Sequence, residues 1–189
     1  MKTLIYGLQS SGASLFSYWL SQQENCIGVI DLYFNQVSPF IDHDNVVLKC
    51  CITKDIPLEF HVESFKPDQI ILFIRNPITN HLSLSEKSYS NSGGSIEDKL
   101  SLLETYFSQK KFDTVIKYED FISKRLPSHV GCPSYFQFKK TIENVKEYNF
   151  LKSDWCRTKY KKGWGIGNIH INDLNVLNCK LHPNLSEIY

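Results

Sequence analysis

Apolar residues fall along most of this chain in short unbroken runs, and stretches of helical spacing separate the runs. Thr3–Tyr6 (TLIY) is a compact apolar segment closed by Gly7, which predicts a buried strand. From Ala13 to Gln23 the apolar and aromatic positions Leu15, Tyr18 and Trp19, with Gln22, recur at the spacing of a helix. Cys26–Phe34 (CIGVIDLYF), Val46–Cys51 (VVLKCC) and Gln69–Arg75 (QIILFIR) predict three further strands, the last almost continuous in its apolar character. A helix is predicted from Pro77, because proline is tolerated in a first helical turn. Asn91-Ser92-Gly93-Gly94 reads as a loop, and Ser95 with Asp98 three residues on predicts a capped helix running to about Lys110. Thr114–Tyr118 (TVIKY) predicts a strand, with a helix from Glu119, a loop around Pro127–Pro133 and a helix over Tyr135–Tyr148. The last 25 residues show little periodicity. Strands that are apolar along their length and alternate with helices predict a parallel sheet covered on both faces, a three-layer α/β/α fold. No repeat, low-complexity block or linker divides the chain, so residues 1–189 are expected to form a single domain.

Composition narrows the function classes more than it selects one. With 42% hydrophobic, 22% charged and 13% aromatic residues the chain is neither disordered nor fibrous. A net charge of +1 gives no argument for nucleic acid or a membrane surface as partner. No stretch approaches the roughly 20 apolar residues of a membrane span, and the apolar run in MKTLIYGLQSSGASLF is too short for a convincing signal peptide. Charge is uneven, however: residues 1–100 hold 7 Lys and Arg against 11 Asp and Glu, and residues 101–189 hold 14 against 9. An anionic ligand is therefore expected to find its partners mainly in the second half. The six cysteines (26, 50, 51, 132, 156 and 179) form no CxxC pair, and Cys50 and Cys51 are adjacent. That pattern suits neither a zinc knuckle nor a disulfide framework, and predicts a reducing, cytoplasmic setting with no bound metal.

The sharpest local motif is Gly7-Leu-Gln-Ser-Ser-Gly12-Ala13-Ser14, between a predicted strand and a predicted helix. It has the GxxxxGx[ST] frame of a phosphate-binding loop, in which loop N–H groups and the helix N-terminus converge on an anion. Ala13 stands where a nucleotide triphosphatase carries lysine, which argues against a P-loop kinase or ATPase. The alternative is a Gly-Ser turn capped by Ser11 or Ser14.

Three separated segments resemble the sulfotransferases that use 3′-phosphoadenosine 5′-phosphosulfate (PAPS), whose fold is P-loop-like. Gln9-Ser10-Ser11-Gly12-Ala13-Ser14 resembles that family's 5′-phosphosulfate loop, which also lacks the lysine of the triphosphatases. Ile74-Arg75-Asn76-Pro77, with Ser83 eight residues after Arg75, resembles the element in which Arg and Ser hold the 3′-phosphate. A strand-end arginine offers a planar fork of donors to a phosphate, though it can equally pair with a carboxylate. Lys117-Tyr118-Glu119-Asp120-Phe121 resembles the family's Y-E-D segment, for which a structural role at a helix start is expected. A weaker likeness runs over Lys159-Tyr-Lys161-Lys162-Gly163-Trp164, similar to the segment that covers the 3′-phosphate and adenine. With Arg157 it puts four cations in six residues, and Trp164 is placed to stack on a base; a solvated basic loop is the alternative.

The resemblance implies Gln9, Ser10, Ser11, Gly12, Ala13 and Ser14 on the phosphosulfate, and Arg75, Ser83, Lys161, Lys162 and Gly163 on the 3′-phosphate. Two departures bear on chemistry. Ser10 replaces the family's loop Lys or Arg, and Val46–Cys51 resembles a strand ending in K-x-H with Lys49 retained and Cys51 in place of the histidine. Cys51 is a base only if a cation such as Lys49 lowers its pKa; otherwise it is an inert thiol at a strand end. Lys49 is thus the expected catalytic residue, and the base is left among His43, Asp44, Glu59, His61, His81 or another group. The chain is short for the family, which leaves the pocket for a small-molecule or glycan acceptor open or shared within a homodimer. The expected activity is sulfuryl transfer from PAPS, leaving adenosine 3′,5′-bisphosphate. The alternatives are a non-catalytic nucleotide-binding module of the same fold and, third, a P-loop nucleotide kinase.

Overall fold

In the computed structural model, residues 1–21, 25–38, 41, 43–122 and 150–152 are described. Their strands are β1 (Lys2–Gly7), β2 (Cys26–Ile30), β3 (Asn45–Cys51), β4 (Gln69–Ile74), β5 (Thr114–Lys117) and the short β6 (Phe150–Lys152). All neighbouring pairs are parallel, in the order β5-β4-β1-β3-β2-β6. The helices are α1 (Ala13–Leu20), α2 (Phe34–Val37), α3 (Leu58–Phe65), α4 (Pro77–Ser85), α5 (Ile96–Ser108) and α6 (Tyr118–Ile122). The chain therefore has an α/β fold built on a parallel sheet.

Alternation along each strand feeds two cores. Leu4 and Tyr6 of β1, Leu48 and Cys50 of β3, and Leu72 and Ile74 of β4 pack with Leu58 and Phe65 of α3 and with Ile96, Leu100 and Leu103 of α5. The intervening residues Ile5, Val47, Ile71 and Phe73 pack on the other face with Phe16 and Trp19 of α1 and Phe121 of α6. Burial on both faces is why these strands read as continuous apolar runs rather than as alternating ones. On the α1 side the core is aromatic, with Phe16 stacked on Phe73 at 4.9 Å and edge-on to Phe121 at 5.2 Å.

The sequence-based boundaries hold in most places and shift in a few. The run Cys26–Phe34 is not one strand, because Asp31 takes a positive φ of 54° and turns the chain out of the sheet. The residues beyond it form α2, and Phe34 packs edge-on against Phe65 at 4.7 Å. Helix α3 was not predicted: its buried positions are Leu58, His61 and Phe65, and a histidine in the middle breaks the apolar pattern. Strand β6 was also missed, and α6 starts at Tyr118 rather than Glu119. The capping box forms as predicted, with Asp98 N–H donating to Ser95 Oγ and Ser95 N–H to Asp98 Oδ2. The expected loop at 127–133 and helix at 135–148 lie outside the described residues.

His61 is 6% exposed, and its ring lies 6.0 Å from that of Tyr6. Burial pushes its pKa below the ordinary histidine value of 6.5, so the fold favours the neutral ring. Its contribution to stability is complete above about pH 6.5 and is lost as pH falls through the lower folded value. Urea unfolding should therefore show the wild type weakening on acidification from about pH 7.5 to 5.5 more than His61→Phe does. Equal weakening of the two proteins would contradict this.

Candidate functional site

The sheet register determines which side chains meet at the carboxyl edge. Gly7, the last residue of β1, lies opposite Cys51 of β3 on one side and Phe73 of β4 on the other. Two residues past Phe73 the chain reaches Arg75, and one residue past Ile30, which lies opposite Lys49, it reaches Asp31. The Gly7–Ser14 segment thus emerges between Arg75 on the β4 side and the Asp31–Lys49–Cys51 group on the β3 side.

Gly7 and Gly12 both occupy places that exclude a side chain. A Cβ on Gly7 would lie 2.5 Å from the Phe73 carbonyl oxygen. Gly12 has φ of 93°, and a Cβ there would meet the Tyr118 ring at 2.6 Å. Between them the chain turns tightly, with Ser11 N–H donating to the Leu8 carbonyl and Ser10 at φ 61°.

The loop's carbonyls are held from the β4 side. Asn80 Nδ2 of α4 donates to the Gln9 carbonyl at 2.8 Å, and Arg75 Nη1 donates to the Ser10 carbonyl at 3.2 Å. Phe16 N–H bonds the Gly12 carbonyl, and Ala13 N–H reaches Ser11 Oγ at 3.4 Å. Among the described residues the N–H groups of Ser10, Gly12 and Ser14 have no acceptor, which leaves them available to an anion, while the Gln9 and Ser10 carbonyls are engaged.

All three segments singled out in the sequence meet here. Arg75 Nε donates to Thr79 Oγ1 at 3.2 Å, and the guanidinium lies over the Tyr118 ring at 5.0 Å. Asn76 caps α4 by accepting from Ile78 N–H and Thr79 N–H, with Pro77 following it. Glu119 Oε1 accepts from Asn76 N–H at 3.0 Å, which ties the start of α6 to the start of α4. Tyr118 and Glu119 are therefore structural, packing on Gly12 and bracing the Arg75 turn. Ser83 lies one turn beyond Thr79 on α4, half-buried, so Arg75, Thr79 and Ser83 follow one another at four-residue intervals.

On the β3 side, Lys49 is 4% exposed and its Nζ donates to Asp31 Oδ1 at 2.7 Å and to Cys51 Sγ at 2.9 Å. Burial is the largest single influence and would lower the Lys49 pKa, but Asp31 and Cys51 together outweigh it and hold the ammonium well above the ordinary lysine value. Burial pushes the Cys51 thiol up to about 11, with Lys49 lowering it and Asp31 raising it. Cys51 is accordingly a neutral thiol at pH 7 and no base.

Of the other bases considered, Asp44 and His43 precede β3 at the opposite edge, and Asp44 accepts from Asn25 Nδ2. Glu59 pairs with Lys111, and His61 is buried against Tyr6. Asp31 was not considered because it sits inside a segment read as strand; its one signal is that Asp tolerates the left-handed conformation. Thr79 and Asn80 were also missed, although Thr79 has the i+4 spacing from Arg75. Lys161, Lys162 and Gly163 lie outside the described residues.

Alkylation of Cys51, followed on its own peptide, should rise about tenfold per pH unit through the alkaline range and level off only near pH 11. A plateau near neutrality would mean that Cys51 is a thiolate and would restore it as a base. Compared with protein-family models and with curated proteins, the chain matches none.

Proposed function

We propose that this chain is a PAPS-dependent sulfotransferase acting on a small-molecule or glycan acceptor, on a P-loop-like α/β scaffold. The observation that carries the reading is the polarity of the Gly7–Ser14 loop, whose Gln9 and Ser10 carbonyls are held by Asn80 and Arg75 while Ser10, Gly12 and Ser14 present N–H groups. Support for the scaffold comes from β1 lying centrally between β3 and β4, with this loop leading from it into α1. Ala13, buried where a triphosphatase needs lysine, counts against a kinase.

In this reading the loop N–H groups and the N-terminus of α1 hold the 5′-phosphosulfate. Arg75, Thr79 and Ser83 hold the 3′-phosphate, and the sequence likeness adds Lys161, Lys162 and Gly163 to them. When bound, PAPS supplies the sulfuryl group, whose bond to the phosphate oxygen breaks as the acceptor oxygen or nitrogen attacks sulfur. Asp31 takes the acceptor proton, and the Lys49 ammonium beside it offsets negative charge on the transferring group.

A second reading, a nucleotide-binding module without turnover, is favoured by one observation: Lys49 is already engaged by Asp31, and Cys51 is protonated. The two readings differ in whether PAPS and an acceptor give a sulfated product, and agree that nucleotide binds.

Thermal-shift titration should show a rise with adenosine 3′,5′-bisphosphate that 5′-AMP and ATP–Mg do not match. At about 100 times Kd the stabilisation is about 2.7 kcal/mol, or several degrees at about 2–4 °C per kcal/mol. Arg75→Ala should lose most of that rise. Equal shifts for 5′-AMP, or an unchanged shift in Arg75→Ala, would contradict the assignment.

A further inference from the structure

Lys99 is fully buried, at 0% exposure, in a helix whose other buried positions are Ile96, Leu100, Leu103 and Tyr106. An ammonium on the core-facing stripe of an amphipathic helix is unusual, because lysine is almost never fully buried unless paired. Its Nζ donates to Gln9 Oε1 at 2.7 Å and to the Ser90 carbonyl at 2.7 Å. Both acceptors are neutral. An ammonium has three protons to donate, and among the described residues the third has no acceptor and no carboxylate pairs with the charge. Burial lowers its pKa by more than Cys51 and Asp55 raise it. Lys49 is a useful contrast, since it is equally buried but has Asp31 at 2.7 Å.

We propose that Lys99 is an anion-binding residue of the Gly7–Ser14 loop, a buried cation brought in from α5 beside Gln9 that provides the positive charge Ser10 does not. The inference rests on the functional reading above and adds to it a source of charge that lies outside the loop's own sequence. Geometry explains the route: the capping box fixes the start of α5, Lys99 falls one turn in, and its chain reaches the loop through the Gln9 side chain. Arg75 then meets the loop from one strand and Lys99 from the opposite face of the sheet. A negatively charged phosphosulfate at the loop would compensate the one buried charge that the described residues leave unpaired.

The account separates charge from structural pinning. Lys99→Gln keeps an N–H donor for Gln9 and Ser90 and removes the charge, whereas Lys99→Arg keeps the charge. Isothermal titration with adenosine 3′,5′-bisphosphate should show binding at least tenfold weaker in Lys99→Gln and within a fewfold of wild type in Lys99→Arg. The unliganded Lys99→Gln protein should melt within a few degrees of wild type, because an uncompensated buried charge adds little to the free protein. Wild-type affinity in Lys99→Gln would make Lys99 a structural pin and overturn the inference while leaving the sulfotransferase reading in place. No binding by the wild type would instead remove that reading, and this inference with it. Should Lys99→Gln fail to fold, the Lys99 side-chain resonance in lysine-labelled wild type decides: it shifts on adding ligand if the inference holds and stays fixed if it does not.

Discussion

The Gln9 and Ser10 carbonyls are turned toward α4, and the rest of the site depends on that arrangement. A backbone loop has as many acceptors as donors, and unless the acceptors are engaged an approaching anion meets both. Asn80 and Arg75 engage two of them, at 2.8 and 3.2 Å, and so bias the loop toward presenting N–H groups. Arg75 comes from the β4–α4 connection and Asn80 from the first turn of α4, whose geometry is set by the Asn76 cap, by Pro77 and by the Glu119 carboxylate on Asn76 N–H. The Tyr118 ring completes the support, lying against Gly12 and under the Arg75 guanidinium. Residues more than 100 positions apart in sequence thus determine the conformation of one eight-residue loop.

The cations around the loop are held in three different ways. Arg75 bonds a carbonyl and a hydroxyl, both neutral, and rests on an aromatic face. Lys49 is neutralised by Asp31 within a half-buried cluster that also contains the Cys51 thiol. Lys99 is buried with neutral acceptors alone. An anion gains most from charges not already compensated, so the proposed reading ranks Arg75 and Lys99 above Lys49 as binding groups and gives the Lys49–Asp31 pair the proton and charge transfer at the acceptor.

Much of this was legible in the sequence because it depends on local patterns. The strands at Thr3–Tyr6, Val46–Cys51 and Gln69–Arg75 are buried on both faces and so appear as unbroken apolar runs. The Ser95–Asp98 cap and the Asn76–Pro77 helix start are properties of adjacent residues. The elements that were misread depend on tertiary packing. Helix α3 buries His61, which interrupts its apolar stripe, and the turn at Asp31 is a single backbone conformation within an otherwise strand-like run. Lys99 carries no signal of its own in the sequence, because only the packing of α5 shows that it shares the buried face of Ile96, Leu100 and Leu103. Thr79 and Asn80 acquire meaning only when α4 is placed beside the loop.

The most direct test is to observe the loop amides themselves. In a backbone ¹⁵N–¹H spectrum of the full chain, adenosine 3′,5′-bisphosphate should move the resonances of Ser10, Gly12 and Ser14 to lower field, as expected for N–H groups that gain an anionic acceptor. The amides of Ser11 and Phe16, already bonded to Leu8 and Gly12, should move much less. Perturbations that leave those three amides unchanged, or that are spread over the surface without focus on the loop, would contradict the account.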